Sequence, residues 1–253
     1  MVKDFSMSKI NIRGQRGFSL LELMVALAVG SIVSAVIYSA FTFQQQSWVT
    51  QDQMATMQQN LRMSLRFIGK DLMLVGYDPE SSGTADFTYE NSSNELVTSN
   101  VSIQFAMDIA DDAGSTAVGS SDGDSDDPGE QIRYYLQGNQ LCRDDYNTDS
   151  DLVTPGIQPT ICDVVAEDVE RLLFYYILDD GSVTDNPAAG TLDRIRYVRV
   201  VILARTKGII TQHTSAQNFI YIDQNGLTAS ESFNDNRRRL LLAMNVQCRN
   251  KGL

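Results

Sequence analysis

The chain opens with two stretches of opposite character, a short polar one and a long apolar one. From Phe18 to Phe43 the only charged side chain is Glu22, and the next charge after it is Asp52. A run of about 20 apolar residues is long enough to cross a membrane as a helix. The pattern therefore predicts a membrane-spanning helix that carries one carboxylate close to its start.

The helical pattern continues beyond this apolar run. Apolar residues then recur at spacings of three and four, which is typical of one buried face on an amphipathic helix. These positions are Met54, Met57, Leu61, Leu65, Ile68, Leu72 and Val75. No proline interrupts the pattern before Pro79, and Gly76 supplies a stop signal. We therefore predict one helix over 18–76, whose second half lays its apolar face on a sheet.

From residue 77 onward the pattern changes to short β-type runs separated by turn residues. The alternating run 131–136 leads into Gly138-Asn139, a hairpin signal. The most β-branched run, 194–205, is predicted to be a central strand. Further candidate strands are 96–98, 101–105 and 169–178. Two more, 219–222 and 240–248, complete the sheet, the last with a possible helical part at 240–244. The fold class predicted is α+β, a long N-terminal helix packed on an antiparallel β-sheet.

Charge separates the first 17 residues from the rest of the chain. The whole chain has a net charge of −12, and the first 17 residues hold four basic side chains and one acidic one, so residues 18–253 carry −15. A basic segment before an apolar helix keeps the N-terminus in the cytoplasm and sends the rest across the membrane. The acidity of that remainder argues against nucleic-acid binding, which needs a basic footprint.

Three cysteines are present, Cys142, Cys162 and Cys248. Thiols outside the cytoplasm tend to pair, and Cys142 and Cys162 flank a polar loop rich in turn residues. We predict a disulfide between these two, with Cys248 as a small buried core residue. Pairing of Cys248 with either of the others is the alternative, since connectivity does not follow from sequence alone.

The segment 108–130 is dense in Asp, Gly and Ser. Asp122, Asp124 and Asp126 occupy alternate positions, as at the start of a calcium-binding loop, and Asp127 and Glu130 could add further oxygen ligands. The EF-hand pattern is not completed, because its glycine position and its bidentate glutamate position hold other residue types. A calcium loop and a solvated acidic loop are both compatible with this composition.

The most specific motif lies where the basic segment meets the helix. The hexapeptide 17–22, preceded by basic residues and followed by about 20 apolar ones, resembles the processing site of type IV prepilins. The resemblance implies that a membrane-bound prepilin peptidase cuts between Gly17 and Phe18 and that Phe18 becomes N-methylated. It also implies a role for Glu22, whose carboxylate would neutralise the amine of a neighbouring subunit during assembly, because paired charges are tolerated in a membrane where lone ones are not.

Two further segments extend the resemblance. The helix segment 58–72 with Gly76-Tyr77 is similar to the PilW family of minor pilins and to J-type minor pseudopilins of type II secretion, and residues 237–239 and 246–250 resemble their last strand. The resemblance implies a leader at 1–17, a membrane or filament-core half-helix at 18–45 and a periplasmic domain at 46–253. That domain would consist of an amphipathic helix at 46–76 and a β-rich part at 77–253.

A minor pilin of this kind primes or caps pilus assembly. The resemblance implies that the chain is first held in the inner membrane by a single span and is later part of the pilus. The partners that it implies are the prepilin peptidase, other minor pilins, the major pilin and the inner-membrane assembly platform.

Nothing in the sequence favours an enzyme. The one histidine, His213, lies in a polar segment, and no Ser-His-Asp or His-Cys set can be assembled around it.

Two alternatives to a minor pilin are a J-type minor pseudopilin and a membrane-anchored periplasmic binding or enzymatic domain. A third concerns processing, since a secretory signal peptide cut near Ala26-Leu27-Ala28 also begins with basic and then apolar residues.

Overall fold

A computed structural model describes residues 17–88, 98–110, 121–145, 162–210, 215–222 and 228–252, and of residues 215–222 and 228–232 it describes the backbone only. The leader up to residue 16, His213 and positions 96–97 of one predicted strand lie outside the described residues. The chain divides into two compact units, Met1–Val49 and Thr50–Leu253.

The long helix predicted from the hydrophobic pattern is present as α1, Leu20–Leu72. By length and composition α1 is able to cross a membrane, and none of its most apolar stretch is buried within the protein. It ends four residues before the predicted position 76, and a turn over 73–76 follows. That turn closes with Gly76 at φ 71°, a left-handed conformation that glycine adopts without strain.

In the second unit, four strands form a first antiparallel sheet. They are β1 Ser102–Ala106, β2 Gln131–Gln137, β3 Gln140–Asp145 and β4 Asp163–Ala166, in that spatial order. The β2–β3 hairpin turns at Gly138-Asn139, as predicted, and Gly138 has φ 59°. Positive φ at this position is what tight hairpin turns require, so the glycine–asparagine pair was a reliable signal.

Four more strands form a second antiparallel sheet. They are β5 Val169–Leu178, β6 Val183–Thr184, β7 Ile195–Arg205 and β10 Arg239–Gln247, in the order β10-β7-β5-β6. A 3-10 helix, Ala189–Arg194, leads into β7. The β-branched run is therefore an inner strand, as predicted. The helical alternative for 240–244 is wrong, because each of these residues pairs with a residue of β7 over 200–204.

The remaining two strands form a separate ribbon, β8 Ser215–Ile222 with β9 Thr228–Asp235. The expectation that 219–222 completes the same sheet as 240–248 is wrong. Within the described part of the chain, the strands form two four-stranded sheets and this two-stranded ribbon.

The apolar face of α1 packs on both sheets and forms one core with them. Its predicted positions are confirmed: Met54 is partly buried and the other six are buried. Gly69 allows the close approach, because a Cβ added there would lie 2.6 Å from Cε of Met244 on β10. Each large side chain fully buried in such a core contributes about 1.5–3 kcal/mol to folding. The fold is therefore α+β, a long N-terminal helix packed on antiparallel sheets.

The chain's last residues lie against the end of α1. The side-chain amide of Asn250 donates hydrogen bonds of 3.4 Å to the carbonyl oxygens of Met73 and Val75. Met73 and Val75 lie in the turn that follows α1. Asn250 therefore supplies donors to acceptors of this turn and ties the two ends of the globular unit together.

Candidate functional site

Ser19 and Glu22 are joined by reciprocal hydrogen bonds at the start of α1. The backbone N–H and the hydroxyl of Ser19 donate to Oε2 of Glu22 at 3.0 and 3.2 Å, and the backbone N–H of Glu22 donates to Oγ of Ser19 at 3.2 Å. The first helical hydrogen bond runs from the N–H of Leu23 to the carbonyl of Ser19 at 3.2 Å. This arrangement is a capping box, with Ser19 as the N-cap and Glu22 three residues later.

The capping box explains how a carboxylate can sit in this apolar segment. An ionised group at the centre of a membrane span costs roughly 2.5–3.5 kcal/mol on insertion scales. Glu22 lies instead in the first turn, where backbone donors and the helix dipole favour a negative charge. This local role was not predicted, although the Ser-x-x-Glu spacing at 19–22 is a readable signature of it.

The expected cleavage site lies just outside the helix. Gly17 and Phe18 are non-helical and exposed, and the side chain of Phe18 is 89% exposed. A Cβ added at Gly17 would meet no atom within 4 Å. The bond between these residues is therefore presented in an open stretch of backbone, with the capped helix beginning immediately after it.

The acidic segment is organised around one buried carboxylate, Glu130. Its Oε1 accepts hydrogen bonds from the backbone N–H groups of Ile109 and Ala110 at 2.7 and 2.9 Å, and its Oε2 accepts one from Asp127 at 3.1 Å. Burial raises the pKa of Glu130. Both oxygens of Glu130 are thus engaged by the backbone, so this side chain pins the two ends of the segment together.

A second buried carboxylate, that of Asp108, links the start of the acidic segment to its later part. Its Oδ2 accepts a hydrogen bond of 3.2 Å from the backbone N–H of Gly123. Burial raises the pKa of Asp108, and the nearby carboxylates of Asp122 and Asp78 raise it further. Asp108, at the start of the acidic segment, therefore accepts a hydrogen bond from the backbone at residue 123. Glu130, at its end, accepts hydrogen bonds from the backbone at residues 109 and 110.

The five acids proposed from spacing as calcium ligands are not gathered in one place. Asp122 and Asp126 are exposed, whereas Asp127 and Glu130 are buried. The backbone N–H of Asp124 donates to Oδ1 of Asp122 at 3.4 Å, and that of Asp126 donates to Oδ1 of Asp124 at 3.3 Å. Among the residues that the structure describes, no group of three or more His, Cys, Asp or Glu side chains could hold a metal ion. Calcium binding stays a prediction from sequence spacing alone.

The cysteines lie as the sequence predicts. Cys142 on β3 and Cys162 just before β4 form a disulfide with a Cα–Cα distance of 5.5 Å. Cys248 is a buried free thiol, and burial raises its pKa to about 12. The disulfide therefore ties the two ends of the 143–161 segment together.

Comparisons with known proteins add a family context to this geometry. Residues 12–38 match the family described as the prokaryotic N-terminal methylation motif. The chain is 26% identical over 198 residues to the pilin-like protein PilA3 of Thermus thermophilus, a match that covers 74% of this chain and 78% of that protein. Its structure resembles that of a type IV-like pilin from Thermus thermophilus with a TM-score of 0.45 and 16% identity, covering 77% of this chain and 97% of the other.

The matched motif contains Gly17, Phe18 and the capped start of α1 with Glu22. The motif and the apolar helix that contains its end fit a pilin anchored in a membrane by its N-terminal helix. The chain therefore carries the N-terminal methylation motif and is similar in sequence to a pilin-like protein. Type IV pilins as a family are structural rather than catalytic proteins, which a prepilin peptidase processes and which assemble with other pilins.

Proposed function

We propose that this protein is a PilW-like minor type IV pilin that helps to prime or cap pilus assembly together with other minor pilins. The observation that carries the proposal is Glu22, the only charge between Phe18 and Phe43, held at the start of a helix directly after a methylation motif. A simple membrane anchor needs no carboxylate here beyond helix capping, to which the hydroxyl of Ser19 already contributes, and a charge within a span is costly.

The geometry of Glu22 supports a role in pairing with a neighbour. Both hydrogen bonds from Ser19 end on Oε2, and Oε1 has no hydrogen-bond partner within the described residues. Cleavage after Gly17 would create an amine at Phe18, which is a cation. In a medium of low dielectric constant, opposite charges attract strongly and lone charges are costly. Oε1 can therefore accept the amine of a neighbouring subunit while Oε2 keeps the helix capped.

The size of the globular part supports a minor rather than a major subunit. The chain has 253 residues, of which only the first 17 form the proposed leader. A large acidic domain suits a rare or terminal subunit better than one that repeats along a shaft. In this proposal the helix spans the inner membrane, the domain from residue 46 onward faces the periplasm, and both enter the pilus after cleavage. The assembly platform and the major pilin are then the remaining partners.

A clean deletion in the native host tests the proposal. Surface pili are counted by electron microscopy and secreted proteins are profiled from the same cultures, with the wild-type gene restored in trans as the control. Lost pili with normal secretion are expected. Normal pili with lost exoproteins would identify a J-type minor pseudopilin instead. If both are unchanged, the chain is an anchored periplasmic domain outside both machines.

A further inference from the structure

The outward face of α1 within the second unit carries two parallel rows of exposed side chains. Arg62, Arg66 and Lys70 follow one another at intervals of four residues, and all three are exposed. Met63 and Phe67 form the adjoining row and are 44% and 50% exposed. Residues four apart on a helix lie one above the other on the same face. These five residues form a continuous surface, here named the basic–apolar strip.

The three cations of the strip have no partner within the part of the chain that the structure describes. Within the described residues, none of them makes an ion pair or a side-chain hydrogen bond. Other arginines of the same unit are paired: Arg143 lies 2.9 Å from Asp71, and Arg194 lies 2.8 Å from Asp179. Like charges four residues apart destabilise a helix. Repulsion within this row therefore lowers the stability of the helix slightly in the free chain, and a bound acidic partner would remove that repulsion.

The strip also differs from the rest of the molecule in charge and in composition. The chain has 32 acidic against 20 basic side chains, so a row of free cations is a local exception to an acidic protein. Arg, Met and Phe are the residue types enriched at the centres of protein–protein interfaces. Exposed apolar side chains bordered by charged ones mark interaction sites.

We propose that the basic–apolar strip binds an acidic protein surface, with carboxylates beside an apolar centre, on a neighbouring subunit of the same assembly. Carboxylates are drawn to the strip and repelled by the rest of this chain, so the charge pattern fixes where the neighbour docks. The identity of the neighbour as a fellow subunit rests on the proposed function, whereas its chemistry rests on the strip.

Two other occupants fit the observations less well. A second copy of the chain carries the same net charge, −12 with the proposed leader and −15 without it, and two such copies repel each other. A membrane surface is too far away. The proposed membrane half of the helix ends at residue 45, before Thr50, and Arg62 lies about 18 Å beyond Thr50 along the helix at 1.5 Å per residue. That distance is about two Debye lengths at physiological ionic strength, beyond which charge attraction is largely screened.

The test is site-specific photo-crosslinking of the full chain in its native host, with p-benzoylphenylalanine in place of Phe67. The strip variant is R62E/R66E/K70E. The matched control is R171E/K207E/R249E, which makes the same change of net charge at three exposed cations outside the strip. A cross-linked peptide from a carboxylate-rich protein surface is expected. Its yield should fall roughly tenfold or more in the strip variant, should change little in the control, and should fall with rising salt, as for an electrostatically guided contact.

Folding and charge specificity are checked separately. All substituted positions are exposed. The control also breaks the ion pair of Lys207 with Glu167 at 3.3 Å, but surface pairs of this kind contribute little, so thermal unfolding should stay close to that of the parent chain. If the strip variant unfolds earlier, R62Q/R66Q/K70Q replaces it, since that variant removes the charges without reversing them, and the same loss of cross-link is expected. Lysines placed at the contacted carboxylates of the partner should restore the cross-link to the strip variant.

Several results would overturn the inference. They are cross-links to lipid or to a second copy, a cross-link to a surface without carboxylates, and a yield that the charge reversal leaves unchanged. Failure of the proposed function is a distinct result. In that case the charge-dependent cross-link persists, but the partner belongs to no pilus, and the deletion strain keeps its pili.

Discussion

The phenol of Tyr134 donates a 2.7 Å hydrogen bond to Oδ2 of Asp71, although the two residues are 63 positions apart in sequence. The same oxygen accepts a bond of 2.9 Å from Nε of Arg143. Tyr134 is fully buried, and burial, together with the charge of Asp71, raises its pKa so that it stays a donor. These contacts fasten the last turns of α1 to β2 and β3 through a single carboxylate.

Removal of this carboxylate should cost more than removal of the phenol. Asp71→Ala leaves a buried donor and a half-buried guanidinium without a partner, which we expect to lower the free energy of unfolding by about 2–3 kcal/mol. Tyr134→Phe removes only one donor and leaves the Asp71–Arg143 pair, with a loss of about 1 kcal/mol. Urea unfolding followed by near-ultraviolet circular dichroism measures both. Equal losses in the two variants would contradict the proposed geometry.

Glu22 has two roles that substitution can separate. Glu22→Gln keeps a capping box, because glutamine serves as well as glutamate at this position, but it has no charge to offer a neighbour. Glu22→Ala loses both roles. We expect both variants to be cleaved and to keep a wild-type globular fold, and both to enter filaments poorly. Incorporation is measured as the ratio of protein in sheared filaments to protein in membranes.

The glutamine variant decides between the roles of Glu22. Wild-type incorporation of Glu22→Gln, with loss in Glu22→Ala alone, would assign the effect to helix capping and not to charge pairing. Ser19→Ala is the matched control, since it removes the hydroxyl from the capping box and leaves the carboxylate of Glu22 in place.

The buried carboxylate of Asp108 predicts a pH dependence of stability. Its pKa in the folded state is raised above 3.8, so the folded chain binds this proton more tightly than the unfolded chain does. Stability from this group is therefore present below pH 3.8 and is lost as pH rises through the folded-state pKa. Asp108→Asn should have little effect below pH 3.8 and should raise the unfolding midpoint in urea at pH 7, with a gain that grows as pH rises between these limits.

Asp235 is a control of opposite sign. The hydrogen bond from Arg239 lowers the pKa of Asp235 to about 2, so its contribution is present above pH 3.8 and is lost as pH falls towards 2. Asp235→Asn should therefore destabilise the chain at pH 7 and have little effect near pH 2. If Asp108→Asn and Asp235→Asn shift stability in the same direction at pH 7, the account of Asp108 is wrong.

The three cysteines should differ in accessibility. The native oxidised chain should not react with iodoacetamide, since Cys248 is buried with a pKa of about 12 and the other two are bonded. Unfolding without reduction should expose one thiol and reduction should expose three, counted by mass spectrometry. Replacement of both Cys142 and Cys162 by serine should destabilise the chain by about 3 kcal/mol, the value for a closed loop of this size in the chain-entropy model.

Some elements could be predicted because their signal is local. The apolar face of α1, the turn at Gly138-Asn139 and the β-branched run of β7 each depend on neighbouring residues only. The start of the helix was readable for the same reason, through the spacing of Ser19 and Glu22.

Other elements depend on partners that are distant in sequence. Residues 240–244 are good helix formers, yet pairing with β7 makes them a strand, because tertiary packing overrides intrinsic propensity. β9 is mostly polar, so its strand character comes from pairing with β8 and not from an alternating apolar pattern. The link from Asp71 to Tyr134 and Arg143 spans more than 60 residues, which no sequence period reports.

The central claim is that the chain is made as a prepilin, and the mature N-terminus tests it most directly. The protein is purified from membranes of the native host, and its N-terminal peptide is sequenced by tandem mass spectrometry. The account predicts a chain that starts at Phe18 and carries one additional methyl group on its amine. A chain that starts after Ala28, or one that keeps the leader, would contradict it.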